Sequence, residues 1–78
     1  MTISPDLIEE LEILVLFKLT STEEGIKVHK SAVPSAIAAT KRLHARGFIT
    51  QSDGGYLTSL GLGAAEHLQS LLTVLRSS

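Results

Sequence analysis

The chain has 78 residues, a formal net charge of −1 and no cysteine. This length fits one domain, 1–78, and the lack of cysteine excludes disulfides, thiolate zinc sites and thiol catalysis. Hydrophobic residues make up 44% and charged residues 19%, which favours a folded chain over a disordered one. We expect a cytoplasmic protein, because the acidic start is unlike a signal peptide and no apolar run reaches the roughly 20 residues of a membrane helix.

The first predicted helix begins at Ser4-Pro5-Asp6. Ser4 can cap it, Pro5 suits its first position, and the Asp6 carboxylate favours its positive end. Helical spacing predicts an apolar stripe, away from Glu9, Glu10 and Glu12, at Leu7, Ile8, Leu11, Leu14 and Val15. Apolar residues also fall on the other sides of its second half, at Ile13, Leu16 and Phe17. A helix that is apolar nearly all round is buried in its own domain or against a partner.

The next segment has two possible structures. Ser21 and Glu24 fit a capping box, which favours a short helix from Thr22. Residues 26–28 alternate like a short strand instead. Helix and strand both stay open over residues 22–30.

A second helix is predicted over about 34–46. It starts at Val33-Pro34, because a residue before proline avoids helical geometry, and Gly47 is placed to end it. The expected inner stripe is Ala36, Ala39 or Thr40, and Leu43, with Ile37 beside it. The residues expected largely on the other side are Ser35, Ala38, Lys41, Arg42 and Arg46.

A hairpin and a last helix complete the pattern. Residues 48–50 and 56–58 are strand-like, and a three-residue loop at 52–54 pairs Ile49 with Leu57. Thr58 can cap the last helix. Its predicted stripe is Leu60, Ala64, Ala65, Leu68, Leu71 or Leu72, and Leu75.

Charge is strongly segregated along the chain. Residues 1–26 sum to −5, residues 27–46 to +5 and residues 47–78 to −1. The basic block holds Lys27, Lys30, Lys41, Arg42 and Arg46, with His29 and His44 among them. Because this block spans the second helix, the sequence predicts a local positive surface on a chain that is nearly neutral overall.

These motifs resemble a known regulator family. The run PSAIAATKRLHARGFI, residues 34–49, resembles a recognition helix leading into the wing of bacterial winged helix-turn-helix proteins, including the MarR type. The run LTSLG, residues 57–61, is similar to the segment that follows that wing. The resemblance covers roughly residues 20–65. It implies a winged helix-turn-helix, mainly α with a small β-hairpin (α+β).

A closer resemblance comes from three shorter runs. GIKVH at 25–29, DGGYLT at 53–58 and AAEH at 64–67 look like a small uncharacterised bacterial family that carries a DNA-binding label.

The winged-helix resemblance implies a DNA-binding transcriptional regulator. In such proteins the recognition helix, here 34–46, enters the major groove of double-stranded DNA. The expected contact residues are Lys27, Lys30, Ser35, Ala38, Lys41, Arg42 and Arg46. The hairpin tip offers Gln51, Ser52 and Asp53 instead of the basic residues that reach into a minor groove. The alternative is therefore a winged-helix module that binds protein without binding DNA.

Self-association is a separate expectation. Several apolar residues of the first and last helices exceed the needs of one small core, and packing two copies would bury them. The predicted homodimer interface is Ile13, Leu16, Phe17, Leu72, Val74 and Leu75. We expect no enzyme, cofactor or metal site, because His29, His44 and His67 are widely spaced and no serine has a placed base.

Overall fold

The structure is a computed structural model that describes residues 2–19 and 25–77. It holds three helices, α1 (Pro5–Val15), α2 (Pro34–Ala45) and α3 (Ser59–Arg76). Three short strands, β1 (Ile26–Lys27), β2 (Ile49–Gln51) and β3 (Gly54–Leu57), form an antiparallel sheet with β3 in the middle. The predicted α+β class, with helices around a small hairpin, is confirmed. No helix in the described ranges is both long and apolar enough to cross a bilayer.

The predicted starts and ends of the helices agree with the structure. The Ser4 hydroxyl accepts a hydrogen bond from the backbone N–H of Leu7 at 3.2 Å. The second helix begins at Pro34, and Gly47 follows its end with a φ of +84°. Local rules of helix capping are therefore sufficient to place these boundaries.

The segment before α2 contains a strand and a turn. Residues 26–27 form β1, whereas the proposed capping box at Ser21 and Glu24 lies outside the described residues. Between β1 and α2 the chain makes a single turn, in which the N–H of Ala32 donates to the carbonyl of His29 at 2.9 Å. That stretch has no helix, so α2 is reached directly from the sheet.

The hairpin has the predicted register and a shorter loop. Ile49 pairs with Leu57, as expected. Only residues 52–53 separate the strands, because Gly54 already pairs with Gln51, and the register shifts between the two pairs. Gly54 and Gly55 have φ values of +131° and +74°, a backbone that residues with a Cβ rarely adopt, and this permits the tight reversal.

The buried face of α1 differs from the predicted stripe. The buried residues are Glu10, Ile13, Leu14 and, just beyond the helix, Phe17. Leu7, Ile8 and Val15 are instead 38–45% exposed. The helix has two competing apolar sides, and the side that packs on α2 and α3 is the one that contains Glu10. The expectation that Glu10 lies away from the core is wrong.

The α3 helix is also rotated from the prediction. Its buried residues are Gly61, Ala65 and Leu68. A Cβ at Gly61 would overlap the carbonyl oxygen of Phe48, so the helix approaches the backbone just before β2 through this glycine. Because neighbouring helix positions differ by about 100°, Gly61 facing inward turns Leu60 outward. The predicted stripe is wrong for Leu60 and Leu75, which are 58% and 63% exposed, and of the alternatives Leu71 and Leu72 it is Leu72 that packs on the core.

Candidate nucleic-acid interface

A cleft of 630 Å³ lies between α2 and the turn that joins β2 to β3. It is lined by Val28, His29, Lys30, Ile37, Thr40, Lys41, Gln51, Ser52 and Asp53. Lys30 and Lys41 are exposed, and among residues 2–19 and 25–77 neither forms an ion pair. The cleft thus brings two lysines of the basic block together, with Asp53 as its one acid.

Local structure explains why both lysines face this cleft. Lys30 lies in the turn between β1 and α2, and the N–H of Val28 beside it donates to the carbonyl of Asp53 at 2.7 Å. Lys41 follows Thr40, which is 1% exposed in the core. One helical step of about 100° from that buried position carries Lys41 to the flank next to the turn.

The outward face of α2 carries short side chains. Ser35 and Ala38 are both exposed, as the sequence predicted. Neither side chain is long, so this surface can approach a groove closely but offers few hydrogen-bonding groups to base edges. Contacts here would position the helix more than they would distinguish bases.

Arg42 and Arg46 lie on the opposite flank of α2, against α1. The two oxygens of the Glu10 carboxylate accept from Arg42 Nε at 3.0 Å and from Arg46 Nη1 at 2.9 Å. Arg42 Nη2 also donates to the carbonyl of Asp6 at 3.2 Å. The Glu10 side chain is only 7% exposed, so its charge is neutralised inside the helix pair.

This placement corrects the expected position of the two arginines. They were predicted largely on the side of α2 away from the core, with Lys41. Arg46 additionally lies over the ring of Phe48, 5.3 Å from its centroid. The two guanidinium groups therefore join α1, α2 and the start of β2, and only part of their charge faces solvent.

Glu10 is the residue that sequence reasoning missed. Its spacing of three and four residues from Ile13 and Leu14 was a usable signal, since these positions share one helix face. An acid on a buried face requires a cation nearby, and the basic block supplies two.

Lys27 lies on the other side of the hairpin turn. It is exposed on β1, where a smaller groove is lined by Gly25, Ile26, Lys27, Gln51, Asp53, Gly55 and Tyr56. The seven predicted contact residues are thus divided. Lys30 and Lys41 line the cleft, Ser35 and Ala38 are exposed on α2, Lys27 lies beyond the turn, and Arg42 and Arg46 face α1.

The predicted dimer residues are divided as well. Ile13 and Phe17 are 5% and 3% exposed within this chain, so the premise that they exceed the needs of the core is wrong. Leu72 is partly buried against the same core. Leu16, Val74 and Leu75 are exposed by 56%, 67% and 63%.

The comparisons with known proteins identify a family. The sequence model of DUF5669, described as a family of unknown function, matches residues 1–76. No curated protein and no solved structure matches the chain.

Proposed function

We propose that this chain, which belongs to the DUF5669 family, is a winged-helix-like transcriptional regulator that binds double-stranded DNA as a homodimer. Its element order and its β1–β3–β2 sheet are compatible with a winged-helix-like layout. In this proposal α2 lies in the major groove, and the turn at residues 52–53 lies beside the phosphate backbone.

The observation that carries the proposal is the cleft with Lys30 and Lys41. Two exposed ammonium groups flank a concave surface at one side of α2, where neighbouring phosphates of a duplex would pass. Because the exposed side chains of Ser35 and Ala38 are short, α2 can approach the floor of the groove. Binding of this kind depends on phosphate contacts and on DNA shape more than on hydrogen bonds to bases.

The arginines have a different task in this proposal. Because Glu10 holds both guanidinium groups, Arg42 and Arg46 act as positioning residues that fix α2 on α1. Lys27, Lys30 and Lys41 make the phosphate contacts. Two arginines on one carboxylate still leave an excess of positive charge on this flank.

Fluorescence anisotropy of labelled duplexes against salt concentration tests the proposal. A pool of duplexes with randomised sequences tests for binding to a specific operator and for binding without sequence preference. We expect affinity to fall with salt. The doubly substituted Lys30→Ala, Lys41→Ala chain loses four lysines per homodimer, so the plot of log K against log salt should become less steep by about 4. Arg76→Ala is the control, because it removes an exposed cation at the far end of α3.

Two results would contradict DNA binding. One is the absence of any bound duplex from the pool at low salt. The other is equal loss of affinity in Arg76→Ala and in the double lysine variant, since this would indicate a response to net charge alone.

A protein-binding module is the second candidate. It is favoured by the Glu10 contacts, which remove part of two cations from the surface, and by Asp53 in the cleft, which repels phosphate. A chain that dimerises normally but retains no duplex would support this candidate.

A further inference from the structure

The α3 helix has two separate apolar faces. One face packs on the core through Gly61, Ala65, Leu68 and Leu72. The other contains Leu60, Leu71 and Val74, which are 58%, 55% and 67% exposed and which no described part of the chain covers. An exposed apolar row of this length on a helix indicates a contact surface.

We name the second face the α3 seam and define it as Leu60, Ala64, His67, Leu71 and Val74, of which Ala64 at its border also packs against the core. Successive members are four, three, four and three residues apart, the spacing of a helix that packs lengthwise on another helix. At about 100° per residue the five positions lie within an arc of about 80°. Along the helix axis the seam is about 21 Å long, since each residue adds about 1.5 Å.

The seam can pair with a second copy of itself about His67. If a second α3 runs antiparallel across it with the two His67 side chains at the two-fold axis, Leu60 faces Val74, Ala64 faces Ser70 and Leu71 faces Gly63. Each Leu71 then opposes a residue that has no side chain. Gly63 borders the seam, and a Cβ there would touch nothing, so close approach of another helix is sterically open.

From this pattern we propose that a second copy of the chain covers the α3 seam, as an antiparallel α3 pair with His67 at its two-fold axis. Antiparallel helices also place the positive end of one dipole beside the negative end of the other, which a parallel pair does not. The seam specifies the homodimer of the proposed function. Because its tests use no DNA, a monomeric result leaves duplex binding to be judged separately.

The size of the surface sets the expected strength. Two 18-residue helices can pack over a length of about 27 Å at most. The area that such a pair buries is at the small end of the range for specific interfaces. We therefore expect dissociation constants on the order of micromolar, so that dimer and monomer are both measurable in solution.

Sedimentation of matched leucine variants tests the seam. Leu71 in the seam and Leu16 at the end of α1 are equally exposed, at 55% and 56%, so a glutamate at either site costs the fold a similar amount. We expect Leu71→Glu to sediment as a monomer at roughly tens of micromolar, where the parent chain and Leu16→Glu sediment as dimers. Circular dichroism confirms that each variant is folded.

A gain in affinity provides the complementary test. His67→Leu replaces the polar centre of the seam and should tighten the dimer at least tenfold. Thr73→Leu adds similar apolar surface on another side of α3 and should not. A monomeric parent chain, or dimers lost in Leu16→Glu but kept in Leu71→Glu, would overturn the proposal.

Cross-linking determines the direction of the pair. The native chain has no cysteine, so introduced thiols are the only ones present. With a short bifunctional maleimide, an antiparallel pair joins Leu60→Cys to Val74→Cys in a mixture and joins His67→Cys to itself. Efficient linkage of Leu60→Cys to itself would indicate a parallel pair and contradict the proposal.

Discussion

Glu10 and Arg42 join α1 to α2 through a hydrogen-bonded ion pair of 3.0 Å between residues 32 positions apart in the sequence. The acid is buried and the arginine is about one-third exposed on its side chain. A buried carboxylate is costly unless a cation pairs with it, so the burial of Glu10 in α1 depends on the two arginines of α2.

The first prediction concerns this contact. Glu10→Gln keeps the shape of the side chain and removes the charge, which leaves two guanidinium groups without their anion. We expect the free energy of unfolding in urea to fall by about 1–3 kcal/mol, less than the roughly 3–5 kcal/mol of a fully buried pair, because Arg46 is 59% exposed. Glu12→Gln, on the exposed side of α1, is the control and should change stability by less than about 0.5 kcal/mol.

The same variant also affects the proposed function. With Glu10 neutral, Arg42 and Arg46 are free to meet phosphate, so duplex affinity at low salt should rise even though the fold is weaker. Unchanged or lower affinity in the folded variant would show that the α1 flank of α2 stays away from DNA.

The second prediction concerns the contact between α3 and the carbonyl of Phe48. Gly61→Ala places a methyl group where the carbonyl oxygen lies, and we expect a loss of at least about 2 kcal/mol from the displaced helix. Gly63→Ala is the matched control, because its methyl group meets open space. At low protein concentration it should stabilise the monomer by about 0.5–1 kcal/mol through helix propensity. Equal effects in thermal unfolding would contradict the close approach at Gly61.

The third prediction concerns Thr58. Its hydroxyl accepts from the N–H of Gly61 at 3.1 Å and donates to the carbonyl of Gly47 at 2.6 Å. Thr58→Val preserves the shape but removes both bonds, so we expect a loss of about 1–2 kcal/mol in urea unfolding. Ser59→Ala removes a neighbouring hydroxyl that is exposed and should have little effect.

The fourth prediction separates core from surface at the end of α1. Phe17→Ala removes a ring that is 3% exposed and should cost about 3–5 kcal/mol, a large part of the stability of so small a domain. Leu16→Ala, at 56% exposure, should cost less than about 1 kcal/mol in the monomer. Calorimetry at low protein concentration measures both. Similar losses of stability in the two variants would mean that a partner covers Leu16 even at low protein concentration.

Sequence reasoning succeeds here where the physics is local. The cap at Ser4, the start at Pro34 and the pairing of Ile49 with Leu57 depend on a few neighbouring residues, and all three agree with the structure. Each follows from a backbone preference or a turn that the adjacent residues impose.

Rotation of a helix about its axis is not local. The inner stripe predicted for α2 is buried at Ala39, Thr40 and Leu43, but the stripes predicted for α1 and α3 are wrong in part. Both sides of α1 are apolar, so nothing within it decides whether Leu7 or Ile13 faces inward. The decision comes from Arg42 and Arg46, which draw Glu10 inward from another helix. Likewise Leu60 faces outward because a glycine beside it fits under the carbonyl of Phe48, a contact that no periodicity in α3 contains.

The junction of the hairpin with α3 has a geometric consequence. The N–H of Thr58 donates to the carbonyl of Phe48 at 3.1 Å, and its hydroxyl bonds Gly47, so the end of α2 and the start of α3 are tied at adjacent residues. These two hydrogen bonds restrict how α2 and α3 can move relative to each other within one copy. Two copies joined along α3 would hold their α2 helices at one separation. Such a pair would distinguish DNA sites by the spacing between two contact positions more strictly than by the base sequence at either position.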